Sequence, residues 1–250
     1  MVGNFIVSLA SYSKRINTLH ICLESIFSQT LMPKKIILYL DNSVAPNEVP
    51  SKVLSYVKKG LDIVFVSNEL SSHNKYYYTL KNYPEDVVIT VDDDVVYDRL
   101  TFSNLMDTHI KYPYSVCSSR VTYMMFDECN NILPYNSWIS EYDKLIYPSK
   151  RLVAVGVGGI LYPHNIFTDE VFNKEAIRNL ALTADDIWLK IMQLMNNIPV
   201  VWTGQVPQHP PQIPNTMENS LWRNINKYKN DEYLKNLIEF YNIDIFSLIQ

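Results

Sequence analysis

The chain has 250 residues, 47% of them hydrophobic and 19% charged, which is enough to build a sizeable core and excludes a largely disordered polymer. A net charge of -4 and an isoelectric point near 5.7 argue against nucleic acid as the main partner, since phosphate backbones call for a dense basic surface. Cys22, Cys117 and Cys129 are far apart and form no CxxC pair, so free thiols are expected rather than a disulfide framework or a structural zinc site.

The opening run Met1 to Val7 is short and has no basic front end, so it reads as the start of a strand and not as a signal peptide. No stretch approaches the ~20 apolar residues that span a bilayer, and a soluble protein, or one lying at most on a membrane surface, is expected. Phe5 to Ala10 reads as a buried strand, and Ser11-Tyr12-Ser13 as a turn. Ile16, Leu19, Leu23, Ile26 and Phe27 then follow at helical spacing, with Pro33 as the stop. Ile36 to Leu40 is a second strand that ends in Asp41-Asn42-Ser43. A helix near Ser51 to Lys58 leads to a third strand, Asp62 to Val66. The tyrosine-rich stretch Asn68 to Tyr83 is expected to be helical in its second half, and Val87 to Val91 is a fourth strand running into Asp92.

Alternating strands and helices predict an α/β protein with a mainly parallel sheet and crossover helices. Ligands of such sheets bind at the carboxyl ends of the strands, where Ser11 to Arg15, Asp41 to Ser43 and Asp92-Asp93-Asp94 all fall. Further on, Ser118 to Tyr123 and Leu152 to Tyr162 read as strands. Asp185 to Asn196 reads as a helix with Ile187, Trp188, Ile191, Met192 and Met195 on its apolar stripe, and Val200 to Trp202 as a short strand. Gln205 to Asn215 holds four prolines and must be an extended loop, and the tail from Ser220 looks helical. The later part is expected to cover the strand ends and shape a second subsite.

Three adjacent carboxylates repel one another, and a divalent cation on a phosphorylated substrate is a physical reason to place them together. In an extended chain Asp92 and Asp94 point to one side and Asp93 to the other. A solvated acidic turn is the plainer alternative. Asp185-Asp186 opens a helix behind Thr183, where a threonine cap and acids in the first turn suit any helix, but where one carboxylate can also serve as a general base. Gly156-Val157-Gly158-Gly159 holds three of the chain's six glycines; either a sugar packs against bare backbone there, or the chain forms a β-bulge. His209 in the proline-rich loop is a minority candidate for a further metal ligand. Lys75, Arg15 and Arg120 are candidates to neutralise a diphosphate, and Arg223, Lys227 and Lys229 give the tail a modest basic face.

Taken together, Ile6 to Tyr12 with Arg15, Leu23-Glu24-Ser25-Ile26 with Gln29-Thr30, the strand ending at Asp41, Val91 to Tyr97 and Asp185-Asp186-Ile187-Trp188-Leu189 resemble the GT-A glycosyltransferases, in particular inverting family 2 and its bacterial relatives. The acidic triplet resembles that family's DxD motif. Asp185-Asp186 is similar to its late Glu-Asp-x-x-Leu motif, with Asp185 in place of the glutamate. The resemblance implies a Rossmann-like GT-A domain over residues 1–205, its donor half about 1–100 and its acceptor half about 101–205, with 206–250 as a loop and helical extension on the acceptor side. It implies a hexosyl- or N-acetylhexosaminyltransferase that uses a nucleotide-sugar donor, commonly a UDP-sugar, and a glycan or lipid-linked saccharide acceptor in polysaccharide biosynthesis. By the same analogy the enzyme would be cytoplasmic, with peripheral contact at the inner membrane face.

The resemblance also implies roles for single residues. Asp94 and Asp92 hold Mn2+ or Mg2+, with His209 as the candidate third ligand. Ser8, Ala10, Arg15, Asp41, Lys75, Asp92, Asp93, Gly158 and Gly159 surround the donor. Asp186, with Asp185 as the alternative, deprotonates the acceptor hydroxyl for a single inverting displacement; a retaining relative stays open. Two competing readings are a phosphotransferase or phosphatase with Asp92 as nucleophile and Asp94 as acid, and a non-catalytic sugar- or nucleotide-binding module.

Overall fold

The computed structural model describes residues 2–216, 218 and 220–250; Met1, at the head of the first apolar run, lies outside them. The described strands are β1 (Val2–Ser11), β2 (Met32–Asp41), β3 (Leu61–Val66), β4 (Val87–Val91), β5 (Val116–Ser118), β6 (Val121–Tyr123), β7 (Ile139–Ser140), β8 (Leu152–Ala154), β9 (Ile160–Tyr162) and β10 (Val200–Trp202). Seven of them form one sheet in the order β10-β5-β9-β4-β1-β2-β3, and β7-β6-β8 form a second, small sheet. Neighbours among β1 to β4 pair in parallel, as does β10 with β5, while β9 runs antiparallel between β4 and β5. The mainly parallel α/β sheet expected from the sequence is thus present, with one reversed strand near its middle.

The helices are α1 (Leu19–Phe27), α2 (Ser51–Leu54), α3 (Asn74–Asn82), α4 (Thr101–Lys111), α5 (Lys174–Leu180), α6 (Asp185–Met195), α7 (Lys227–Tyr241) and α8 (Ile245–Leu248). Side-chain alternation along β1 divides the core between the two faces of the sheet. Phe5, Val7 and Leu9 pack with Leu19, Leu23 and Ile26 of α1 and with Phe102 and Leu105 of α4. On the other side Val88, Ile160 and Tyr162 pack with Tyr76 and Leu80 of α3, Trp188 and Ile191 of α6, and Leu234 and Leu237 of α7. No helix among the described residues is long and apolar enough to cross a membrane.

Four local expectations need correction. Pro33 is not a stop but lies within β2, opposite Gly3 at the start of the pairing with β1. Ser118 to Tyr123 is not one strand: the chain turns at Ser119 and Arg120, and β5 and β6 lie in different sheets. Leu152 to Tyr162 is likewise divided, by a 3-10 turn at Gly156–Gly158, into β8 of the small sheet and β9 of the large one. Gly159 ends that turn at φ +88, a left-handed value that suits a residue without Cβ. Finally, α6 is buried on more than a stripe: Ile187 through Leu194 are all buried, while Met195, expected on the apolar face, is 40% exposed.

One buried member of α6 is Lys190, whose Nζ donates to the Leu152 carbonyl of β8 at 2.8 Å. Burial, with Lys150 adding repulsion, pulls its pKa from 10.5 down to about 7. The unfolded chain therefore binds more protons between those two values, and this residue's cost to stability shrinks as pH rises from 7 towards 10.5. Lys190→Met should raise the thermal midpoint by several degrees at pH 6, at about 1.4 kcal/mol per pKa unit less about 1 kcal/mol for the lost hydrogen bond. The gain should vanish as pH approaches 10, which melting curves across that range would show.

Candidate active site

The acidic triplet leaves β4 and bends at once. Asp92 comes directly after the last strand residue, Asp93 and Asp94 form a bend, and Val95 pairs with Gln212 of the proline-rich loop. The alternation expected of an extended chain is therefore lost. Asp93 and Asp94 share one cation, Arg15, whose Nη1 lies 2.6 Å from Asp93 Oδ1 and 3.0 Å from Asp94 Oδ2, and Asp93 also accepts from the Ser11 hydroxyl at 2.5 Å. Asp92 turns the other way, to Lys75. Its backbone is held from behind: Asp92 N donates to the Tyr97 hydroxyl at 2.8 Å, and the Cys22 thiol donates to the Asp92 carbonyl at 3.3 Å.

Lys75 is the hinge of the arrangement. It sits in the first turn of α3 and is buried, with Nζ 2.6 Å from Asp92 Oδ1 and 2.8 Å from Asp185 Oδ2. One ammonium thus ties the end of β4 to the start of α6. The helix turn that carries it is fixed to the sheet by Ser8, which donates to the Lys75 carbonyl at 2.5 Å and lies 2.8 Å from the Thr79 hydroxyl. Ser8 is fully buried, so it supports the site from beneath the surface.

The second carboxylate pair divides. Burial alone would push the Asp185 carboxyl up, but Lys75 and His73 more than offset this and hold it below the usual carboxylate value. Asp186 is pushed up to about 8, first by burial and then by the charge on Asp185. Its two oxygens accept from Gly156 N at 3.1 and 3.3 Å. Thr183 does not cap α6; the cap position is Ala184, without a side-chain bond, and the Thr183 hydroxyl reaches Asn226 and Tyr233 instead.

Gly156 is where the pieces meet. A Cβ added there would stand 2.5 Å from Lys75 Nζ, 3.3 Å from Asp186 Oδ1 and 3.4 Å from Asp92 Oδ1. The two carboxylate motifs, 94 positions apart at Asp92 and Asp186, so converge around one bare stretch of backbone. Gly158 is pressed instead against Arg120, and Gly159 faces Leu105, Thr101 and Tyr97. The stretch is a turn between sheets, not a β-bulge.

Among the other expected site residues, Ala10 is half-buried near the end of β1, and Asp41, half-buried at the end of β2, accepts from Ser43 N at 2.9 Å. His209 is half-buried and its Nδ1 lies 2.7 Å from the Pro210 carbonyl. The residue of that loop that reaches the triplet is Gln212, whose Nε2 donates to Asp94 Oδ2 at 3.2 Å, while Ile213 N donates to the Asp94 carbonyl at 2.8 Å. Arg120 lies 3.4 Å from Glu141. Gln212 and Tyr97 are not singled out by the sequence, and Gly156 only as part of the glycine stretch whose Gly158 and Gly159 are the expected site residues.

The donor set fits a hard divalent cation in one respect. Asp94 is buried among like charges, and burial, against the lowering pull of Arg15 and with Asp93 and Asp92 adding to the rise, pushes its pKa up to about 7. Such a carboxyl carries negative charge that Arg15 does not fully compensate, which a cation with oxygen ligands relieves. Among the described residues no three His, Cys, Asp or Glu side chains are already gathered around one point as ligands, so substrate oxygens would have to complete the shell.

A family model described as Glycosyl transferase family 2 matches residues 7–180, more than two thirds of the chain. No curated protein sequence matches it significantly. Among solved structures, a mannosyltransferase from Pyrobaculum calidifontis, PcManGT, in complex with GDP-Man and Mn2+, is similar with TM-score 0.56 and 12% identity over 98% of this chain and 68% of that one. TarS of S. aureus, residues 1–349 in complex with UDP, gives TM-score 0.50 and 16% identity over 80% of this chain and 58% of its own. A 4-diphosphocytidyl-2C-methyl-D-erythritol synthase from Anaerococcus prevotii gives TM-score 0.51 and 11% identity over 86% of this chain and 96% of its own. At such identities these likenesses concern the fold.

Lys75→Met should test the bridge without reference to any reaction. It leaves the buried Asp185 carboxylate, and the half-buried Asp92 beside it, without their cation, which should cost about 3–5 kcal/mol at pH 8. The deficit should shrink as pH falls towards 5, because the Asp185 carboxyl, no longer held down by Lys75, can then take a proton; denaturant titrations at the two pH values measure it.

Proposed function

Because the chain belongs to glycosyl transferase family 2 and is a glycosyltransferase built on a GT-A sheet, we propose that it moves a sugar from a nucleoside-diphosphate donor to a hydroxyl of a glycan or lipid-linked acceptor, with inversion. The observation that carries this reading is the meeting of Lys75, Asp92 and Asp186 around Gly156. It sets a charged, oxygen-rich wall for a diphosphate against a carboxyl poised to take a proton. The nucleotides in two structural neighbours, GDP-Man and UDP, support a nucleoside-diphosphate donor, and a UDP-sugar is the first candidate. The Mn2+ in PcManGT supports a divalent cation.

In this proposal Ala10, Arg15 and Asp41 flank the nucleoside at the ends of β1 and β2. Asp94 and Asp92 hold Mn2+ or Mg2+, which when bound offsets the charge of the leaving diphosphate. Asp93 keeps Arg15 and Ser11 in place beside them. Asp186 is the base. Bonded to Gly156 N, it faces the cleft and takes the proton of the acceptor hydroxyl, whose oxygen then attacks the anomeric carbon opposite the diphosphate. Asp185 remains ionised on Lys75, and its charge makes Asp186 the stronger base of the two. One base and no separate nucleophile make a single displacement the economical chemistry.

Two outcomes are expected. A panel of nucleotide sugars with Mn2+ should yield at least one donor that is hydrolysed slowly or transferred, with activity lost in chelator; failure of the folded protein to bind or cleave any donor would defeat the reading. With that donor, Asp186→Asn should lower turnover by about 10³-fold or more while nucleotide affinity changes less than about threefold. Wild-type turnover should rise with pH as Asp186 loses its proton, with a midpoint at or below about 8, since a cation bound near Asp92 favours the ionised form.

A further inference from the structure

The start of α6 is held from outside. Its cap position, Ala184, makes no side-chain bond, and the residue before it, Thr183, is gripped at its carbonyl and its hydroxyl by one amide. Asn226 Nδ2 donates to the Thr183 carbonyl at 2.7 Å, and the Thr183 hydroxyl donates to Asn226 Oδ1 at 2.9 Å. The same hydroxyl lies 3.0 Å from the Tyr233 hydroxyl. Asn226 is the last residue of a π-helical stretch, Trp222–Asn226, that leads into α7. Such stretches widen the helix by a residue and re-aim the turns after them, and they recur at functional sites.

A few residues on, the same helix grips a second segment. Asp231 Oδ1 accepts from Tyr135 N at 2.7 Å, and Asn136 Nδ2 donates to the Lys227 carbonyl at 3.3 Å, so the 3-10 turn Tyr135–Ser137 hangs from the first turns of α7. Burial first, and then the charge on Asp186, push the Tyr135 hydroxyl above its ordinary pKa. The helix is itself seated in the core through Leu234 and Leu237. The family match ends at residue 180, before the base and before this helix.

We propose that the segment from Asn226 to Tyr233 is a splint across the acceptor side of the site: Asn226 is a positioning residue for Asp186, acting through Thr183, and the turn at Tyr135, which Asp231 holds in place, forms part of the acceptor surface. The proposal rests on the reading of Asp186 as the base. Its physical content is distance. A base must stay within hydrogen-bond reach of the hydroxyl it deprotonates, and an error of about 1 Å costs about 100-fold in rate. The Thr183 clamp acts three residues from that base along the chain, and the Asp231 bond fixes the turn at Tyr135. Neither contact touches the donor side, where the fixed charges are those of Arg15 and Lys75.

The test separates turnover from binding, with a donor and acceptor taken from the activity screen. Asn226→Leu keeps the bulk and removes both amide bonds; Thr183→Val keeps the shape and removes the hydroxyl. Each should lower kcat about 10- to 100-fold, with nucleoside-diphosphate affinity and donor KM within about twofold of wild type. Thr183→Ser, which restores the hydroxyl, should recover kcat to within about threefold. Asp231→Ala should raise acceptor KM by about tenfold and leave donor KM unchanged. Wild-type kcat in both folded Asn226→Leu and Thr183→Val, or an equal loss in Thr183→Ser, would overturn the proposal. Should Asn226→Leu fail to fold, the Thr183 pair decides alone. An inactive Asp186→Asn beside a fully active Thr183→Val would sink the splint and spare the base, whereas an active Asp186→Asn would remove the base and the splint's purpose with it.

Discussion

The site depends on one buried ammonium. Lys75 bridges Asp92 at the end of β4 and Asp185 at the start of α6, and without it two acidic motifs from different parts of the chain would be pressed together in a poorly solvated place. Burying charge is costly, and removing one partner of such a set is costlier than never having built it. The lysine is itself placed by the fold. The Ser8 hydroxyl of β1 holds the Lys75 carbonyl, so the central strand sets the height of α3 and thereby of the ammonium.

Around that bridge the charges fall into two parts. Arg15 serves Asp93 and Asp94, and Lys75 serves Asp92 and Asp185, which leaves two carboxyls disposed to hold protons near neutrality: Asp94, pushed up to about 7, and Asp186, pushed up to about 8. One lies where a cation is proposed and the other where a base is proposed. The two functions ask the same thing of a carboxyl, namely that its charge be incompletely compensated by the protein. Bare backbone at Gly156 lets the two parts approach, since a side chain there would collide with Lys75.

Much of the donor side is legible in the sequence because its signals are local. Val87 to Val91 is a short β-branched run, the triplet comes directly after it, and the apolar spacing from Leu19 to Phe27 marks the crossover helix; all three stand in the structure where the sequence puts them. The features that escape the sequence depend on contacts far apart in the chain. An apolar run has no mark where it leaves one sheet for another, so 118–123 and 152–162 read as continuous. An extended backbone would send Asp93 and Asp94 to opposite sides, whereas Arg15 and the loop at Gln212 bend it. Thr183 has the identity of a helix cap, but a partner 43 positions away takes its hydroxyl. Gly156, not Gly158 or Gly159, meets the candidate catalytic groups, a choice that depends on where a 3-10 turn begins.

The central claim is that Lys75 makes unequal partners of Asp185 and Asp186, so that one stays charged and the other can exchange a proton. The most direct measurement is a pH titration of the aspartate carboxyl carbons by 13C NMR on the uniformly labelled protein, with Asp185→Asn and Asp186→Asn used to assign the two resonances. The account predicts that Asp186 titrates near 8 and that Asp185 titrates below the ordinary aspartate value. Two carboxyls titrating together in the usual range, or the reverse order, would contradict it.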